Sequence, residues 1–193
     1  MKIPYLKQIC LYLIIIALLL CVLSLILPIG TINLKIENFS NLTENDKFEF
    51  FTWGTHTIIE NQNYYAIIYD SGYFVLFSLS SEEQINNLAL TLGMYYLLLP
   101  ITLIIIILGV ISSYSIHYKK EKFNLSLVCG ILSILTLFFF YIFINFGYFS
   151  IDELLKFKPY FSFSFSFYFL LLSGILFFIS YFFSKVYYKN IET

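Results

Sequence analysis

Four long stretches of this chain are almost wholly apolar, and the segments between them are polar, aromatic or short. Ile9 to Leu27 carries no charge, Leu88 to Ile111 is interrupted by Gly93, Pro100 and Gly109, and two further runs extend from Leu125 to Phe146 and from Phe165 to Phe183. A helix rises about 1.5 Å per residue, so roughly 20 apolar residues cross a bilayer. The runs predict four membrane-spanning helices over residues 9–28, 88–112, 125–147 and 165–184. Pro100, near the middle of the second, predicts a kink, with Thr102 close by to help satisfy the freed backbone. Ser173-Gly174 and Ser180 in the fourth predict close helix approach.

Between the first two runs the period changes. Ile32, Leu34 and Ile36 alternate with Asn33, Lys35 and Glu37, the pattern of a half-buried strand. Strand-like runs follow at Phe48 to Trp53, His56 to Glu60, Tyr64 to Tyr69 and Tyr73 to Leu79, with turns expected at Asn61-Gln62-Asn63 and Asp70-Ser71-Gly72. Residues 29–87 therefore read as a β-rich loop, a meander of four or five strands. Ser80-Ser81-Glu82-Glu83 has capping-box spacing and predicts that the second helix starts there. A second loop, 148–164, opens on another capping-box spacing at Ser150 to Glu153. The alternation of Phe161, Phe163, Phe165 and Phe167 with serines predicts either a strand extending the first loop's sheet or the top of the fourth helix. The unbroken apolar path beyond it favours the helix.

Lysine placement orients the chain, because cytoplasmic segments keep an excess of positive charge. Lys2, Lys7, Lys119, Lys120, Lys122, Lys185 and Lys189 share one side. The other has Lys35, Lys47, Lys156 and Lys158 against ten acidic residues from Glu37 to Glu153. Residues 1–8, 113–124 and 185–193 are thus expected to be cytoplasmic, with both termini inside a multi-pass cell-membrane protein. Tyr5, Tyr114, Tyr118, Tyr187 and Tyr188 would form an inner aromatic belt, with Tyr148 and Tyr160 near the outer one. The expected fold is a membrane all-α four-helix bundle with a small extracytoplasmic antiparallel β-sheet in the first outer loop.

Composition agrees: the chain is 60% hydrophobic and 12% charged, with a mean hydropathy of +0.83. A net charge of −1 and the absence of a basic stripe argue against nucleic acid. The first run follows two lysines as a signal peptide would, but it is longer than a signal's apolar region and lacks a small-x-small site, so it reads as retained. Cys10, Cys21 and Cys129 all fall inside apolar runs, which predicts no disulfide. Cys10, near the inner face, is a buried structural cysteine or, less commonly, a lipidation site.

Candidate chemistry is sparse. No ionisable side chain lies deep in any run, where proton relays, ion pathways and intramembrane catalysts usually need one. Asn145 reads as interhelical glue. His56 and His117 fall on opposite sides of the bilayer, without Cys or carboxylate neighbours at ligand spacing. Glu44, Asp46 and Glu49 lack the order of a calcium loop and read as a solvated acidic turn. No catalytic, cofactor-binding or metal residues are predicted, no cofactor is expected, and the chain does not read as an enzyme. Asn38-Phe39-Ser40 and Asn41-Leu42-Thr43 are glycosylation sequons on the outer side. The loop's aromatic excess, with Trp53, Tyr64, Tyr65, Tyr69, Tyr73 and Phe74 its candidate surface, points to contact with the membrane, the second loop or another protein.

Four crossings, both ends inside, a strand-rich first outer loop, a short second one and Trp53-Gly54 together resemble the claudin-like tetraspan proteins. Claudins carry a Trp followed by Gly-Leu-Trp and two cysteines in that loop. This chain has Trp53-Gly54 without the Leu-Trp and without the cysteines. The resemblance implies a non-enzymatic protein that associates laterally or across cells through its outer sheet, with lipids and itself or another membrane protein as partners. The alternative is an accessory subunit of a larger transport or respiratory complex.

Overall fold

The computed structural model describes residues 3–33, 47–59, 62–67, 94–118, 124–147 and 158–192. Four helices, α1 (Ile3–Ile26), α2 (Leu98–His117), α3 (Leu125–Ile142) and α4 (Phe165–Glu192), are long and apolar enough to cross a membrane, as expected of a multi-pass membrane protein. Met94–Tyr96 forms a helical turn ahead of α2, and α3 runs on into a π-helical turn, Phe143–Gly147. Pro100 lies in the first turn of α2, where its missing N–H is one that a helix leaves unbonded in any case. The helical path breaks just before it, at Leu97, whose N–H reaches back to Met94 O at 3.2 Å.

Contacts divide the chain into two compact units: Met1–Leu23, Ile101–Leu137 and Tyr168–Thr193 in one, Ser24–Pro100 and Phe138–Phe167 in the other. In the first, buried positions recur in steps of three and four: Leu6, Cys10, Ile14, Ala17 and Cys21 on α1, and Leu170, Ser173, Phe177, Ser180, Ser184 and Tyr187 on α4. That spacing makes a seam like that of a coiled coil. Small hydroxyl and thiol side chains fill much of it, while Ile15, Leu19, Ile107, Val110, Ile131 and Ile175 are exposed. Lipid tails are as apolar as leucine, so close packing and hydrogen bonds, not apolar burial, draw such helices together.

The bonds that do this are specific. Cys21 Sγ donates to Ser173 Oγ (3.3 Å) and Ser180 Oγ to Cys10 O (3.3 Å), rungs whose reversed order makes α1 and α4 antiparallel. Ser112 and Ser126 hydroxyls pair at 2.8 Å between α2 and α3. A Cβ placed on Gly130 of α3 would stand 3.2 Å from Gly174 O of α4, so the two backbones meet where neither has a side chain. Lys7 Nζ donates to His117 O at 2.7 Å, placing a cation on the negative end of α2.

The second unit holds the antiparallel sheet. Four strands lie between α1 and α2 in sequence, β1 (Gly30–Asn33), β2 (Lys47–Phe50), β3 (Gly54–Ile59) and β4 (Gln62–Ile67). A fifth, β5 (Phe161–Phe163), comes from the segment before α4, giving the order β4-β3-β2-β1-β5. The Phe/Ser alternation thus splits: residues 161–163 pair with β1 and the helix begins at Phe165, so both expectations for the stretch hold over different residues.

One face of the sheet carries Ile32, Phe48, Phe50, Phe161 and Phe163. It is covered by Tyr95, Leu98, Phe140, Phe143 and Ile144 to form the unit's core. Tyr95 stacks on Phe143 at 4.4 Å, and Phe50 meets Phe140 and Phe143 edge-on at 6.2 Å each. The π turn presents both Phe143 and Ile144 to this core, two consecutive residues that a regular helix would place 100° apart.

Several expectations need correcting. Gln62 pairs with Ile59 and Asn63 with Ile58, so both belong to β4 instead of a turn. Trp53 lies in the bend between β2 and β3, not in a strand. Tyr187 is buried in the helical seam, whereas Tyr5, Tyr114 and Tyr118 are exposed as a belt requires. Cys10 is fully buried against Ser180, as expected of a buried structural cysteine and not of a lipidation site. The Asn145 amide donates to Tyr141 O of its own helix (3.0 Å), the position four residues back, instead of bridging helices. The segments around Asp70-Ser71-Gly72 and Ser80 to Glu83, the strand-like run at Tyr73 to Leu79, Ser150 to Glu153 and Tyr148 lie outside the described residues, as does the side chain of Tyr188.

Candidate functional site

The most chemically loaded place in the described structure is the other face of the same sheet. Strand alternation puts Lys47 and Glu49 on one side of β2 and Phe48 and Phe50 on the other. The antiparallel register sets Glu49 opposite His56 on β3 and opposite Thr31 on β1. Thr31 in turn stands opposite Ser162 of β5, so one transverse row of polar residues runs from β5 to β3, and in register His56 is paired with Tyr65 of β4.

Within that row, Glu49 is clamped from two directions. Lys47 Nζ lies 2.6 Å from Oε1, and His56 Nδ1 lies 2.9 Å from Oε2. Glu49 is 9% exposed and His56 8%, so the pair is buried, while the Lys47 side chain is 40% exposed and keeps access to water. Burial acts to raise the Glu49 pKa. The hydrogen bonds from Lys47 and His56 and their charges outweigh it, holding the carboxyl below its ordinary 4.5. At the β5 end of the row, Thr31 Oγ1 and Ser162 Oγ pair at 3.0 Å, and Ser164 Oγ approaches Thr31 Oγ1 at 3.4 Å.

The bend joining β2 to β3 is pinned by two aromatic residues. Tyr95 OH lies 2.6 Å from Phe51 O and 2.8 Å from Gly54 O, its single proton shared between the carbonyls that close the bend. Trp53 Nε1 donates to Leu25 O (2.9 Å), one of the carbonyls that the last turn of α1 leaves unbonded, and its ring stacks on Phe51 at 4.9 Å. Thr52 Oγ1 is buried in the same bend without a hydrogen-bond partner among the described residues.

Of the residues read from sequence as an interaction surface, Trp53 thus has its N–H and one ring face engaged within the chain. Tyr64 and Tyr65 belong to β4, the outermost strand of the order, and Tyr69, Tyr73 and Phe74 lie outside the described residues. Asn38 and Asn41 lie outside them too, as do Glu44 and Asp46. Among the described residues no three metal-ligating side chains come together. The sequence reading missed the Glu49–His56 pair. The pattern along the chain gives His56 no Cys or carboxylate neighbour at ligand spacing and groups Glu49 with Glu44 and Asp46 as a solvated acidic turn. The signal was present: a hairpin centred between Thr52 and Trp53 brings 49 opposite 56. Tyr95, hidden inside an apolar run, gave no such signal.

Compared with known protein families and with curated proteins, the sequence matches none.

Proposed function

We propose that this chain is a non-enzymatic four-pass membrane protein that acts in lateral or cell-surface protein interaction through an outer β-domain, in the manner of claudin-like tetraspan proteins. The observation that carries the reading is the division of chemistry between the two units. Among the described residues, the buried acid and the buried histidine, Glu49 and His56, both belong to the sheet, while the helical seam is closed by apolar side chains together with serines, threonines and cysteines hydrogen-bonded to one another or to backbone. A bundle so filled is a support and offers ions or protons no charged path.

The lysine distribution puts the sheet outside and both termini in the cytoplasm. Lipids contact the apolar helix faces, and the partner at the sheet is a second copy of the chain or another membrane protein. Gentle detergent extraction followed by native mass spectrometry tests this. Homo-oligomers, or a complex lost when β4 is altered, support the reading. Stoichiometric unlike subunits held through the helices would replace it with an accessory subunit, and a monomer retaining a bound lipid substrate would point to an enzyme.

A further inference from the structure

We propose that the Lys47–Glu49–His56 cluster is an acid-release latch on the β2–β3 hairpin: the ionised Glu49 carboxylate keeps the hairpin closed at neutral pH, and protonation of that one side chain opens it.

The geometry supplies the latch. Glu49 and His56 face one another directly across β2 and β3, one register step from Phe50 and Thr55, beyond which the chain bends. Both are buried, so water cannot take over the hydrogen bonds that the carboxylate accepts. The charged and titratable groups of the described residues around Glu49 are few. Lys47 is on its own strand, His56 is on β3, and Tyr65 of β4 stands opposite His56. On its other flank β1 contributes Thr31 and β5 contributes Ser162, neither of which titrates in this range. Glu49 is the one anion among them, so its neutralisation leaves the Lys47 ammonium without a counter-ion.

The direction of the effect follows by linkage. The folded chain holds the Glu49 carboxyl below its ordinary 4.5, so the ionised form stabilises the fold above that value. The stabilisation is lost as pH falls through the lower, folded value. What opens is identifiable. The same hairpin ends in the bend where Tyr95 grips Phe51 O and Gly54 O and Trp53 grips Leu25 O. Loosening the rung beside the bend loosens these attachments.

Trp53 is the one tryptophan of the chain, so its fluorescence reports this hairpin directly. The full chain in maltoside micelles, whose headgroups do not titrate, would be taken from about pH 7 to about pH 3 while Trp emission is read. A reversible red shift below the ordinary carboxylate range is expected in the wild type. It should be absent in Glu49→Gln, which keeps the side chain's shape and an acceptor oxygen but cannot ionise. Lys47→Met and His56→Phe each remove a donor from the carboxylate and should move the transition to higher pH, the lysine change further. A wild type with no transition, or a Glu49→Gln protein that keeps it, overturns the proposal. Should Glu49→Gln be unfolded already at neutral pH, the Lys47→Met midpoint decides, and an unmoved midpoint overturns the latch.

Discussion

The aromatic side chains of the sheet unit do two different jobs that composition cannot distinguish. Phe50, Phe140 and Phe143 fill space, whereas Tyr95 is a structural hydrogen-bond donor at full burial, serving two carbonyls with one proton. Tyr95→Phe keeps the packing and abandons both carbonyls, so it should cost about 1–3 kcal/mol, the penalty for leaving buried acceptors unsatisfied. Thermal unfolding in detergent followed by Trp53 emission would measure it. A loss indistinguishable from zero would mean that water reaches the bend. The cysteines make a second test at this scale. None of the three forms a disulfide and all are buried, Cys10 and Cys21 bonded toward Ser180 and Ser173. A water-soluble maleimide should leave the native protein unlabelled and add three groups after denaturation in SDS. Labelling without denaturant would show that the seam opens.

At the scale of elements, the helical seam and the sheet are specified by different information. Steps of three and four residues between buried positions set how α1 packs on α4, and α3 meets α4 backbone to backbone at Gly130 and Gly174. Gly130→Leu must push α4 away or distort it, and overpacking of this kind costs about 1–3 kcal/mol. Loss of helix–helix association in an SDS titration, with far-UV circular dichroism unchanged, is the expected result. β5 is the contrasting case. Its three residues close the β1 edge, with Ser164 N–H donating to Ile29 O at 2.8 Å. In an antiparallel ladder the residue two positions along points its N–H the same way, so Ser162 also faces β1. Ser162→Pro should remove that bond and release the segment, read as faster amide exchange at Thr31, whose N–H faces β5, with the exchange of α2 unaffected. Slow exchange retained at β1 would show that the edge does not need β5.

For the whole molecule, the proposed topology is open to direct test. Cysteines introduced one at a time at Ser71 and Lys120 should react with an impermeant reagent on intact cells at Ser71 alone, and the reverse pattern would invert the orientation. Much of the architecture was legible beforehand. Runs of roughly 20 apolar residues can be satisfied in lipid by helices alone, so the number and approximate places of the four long helices followed from one-dimensional pattern. Alternation starting at Ile32 and the strand-like runs from Phe48, His56 and Tyr64 likewise announced β1 to β4, though not their bounds. What the sequence determined is therefore whatever depends on neighbours along the chain: element type, helix count and the small-residue seam of α4. Tertiary structure decided what depends on residues far apart. The division of residues 161–167 between β5 and α4 rests on an open β1 edge more than a hundred residues earlier. The pairing of Glu49 with His56 rests on where the hairpin turns, and a shift of one residue would have sent both to the other face. The burial of Tyr95 over that same turn follows from the approach of the α2 entry to the sheet. None of these partners is a neighbour in sequence, and free energies of packing and pairing, absent from local pattern, chose them.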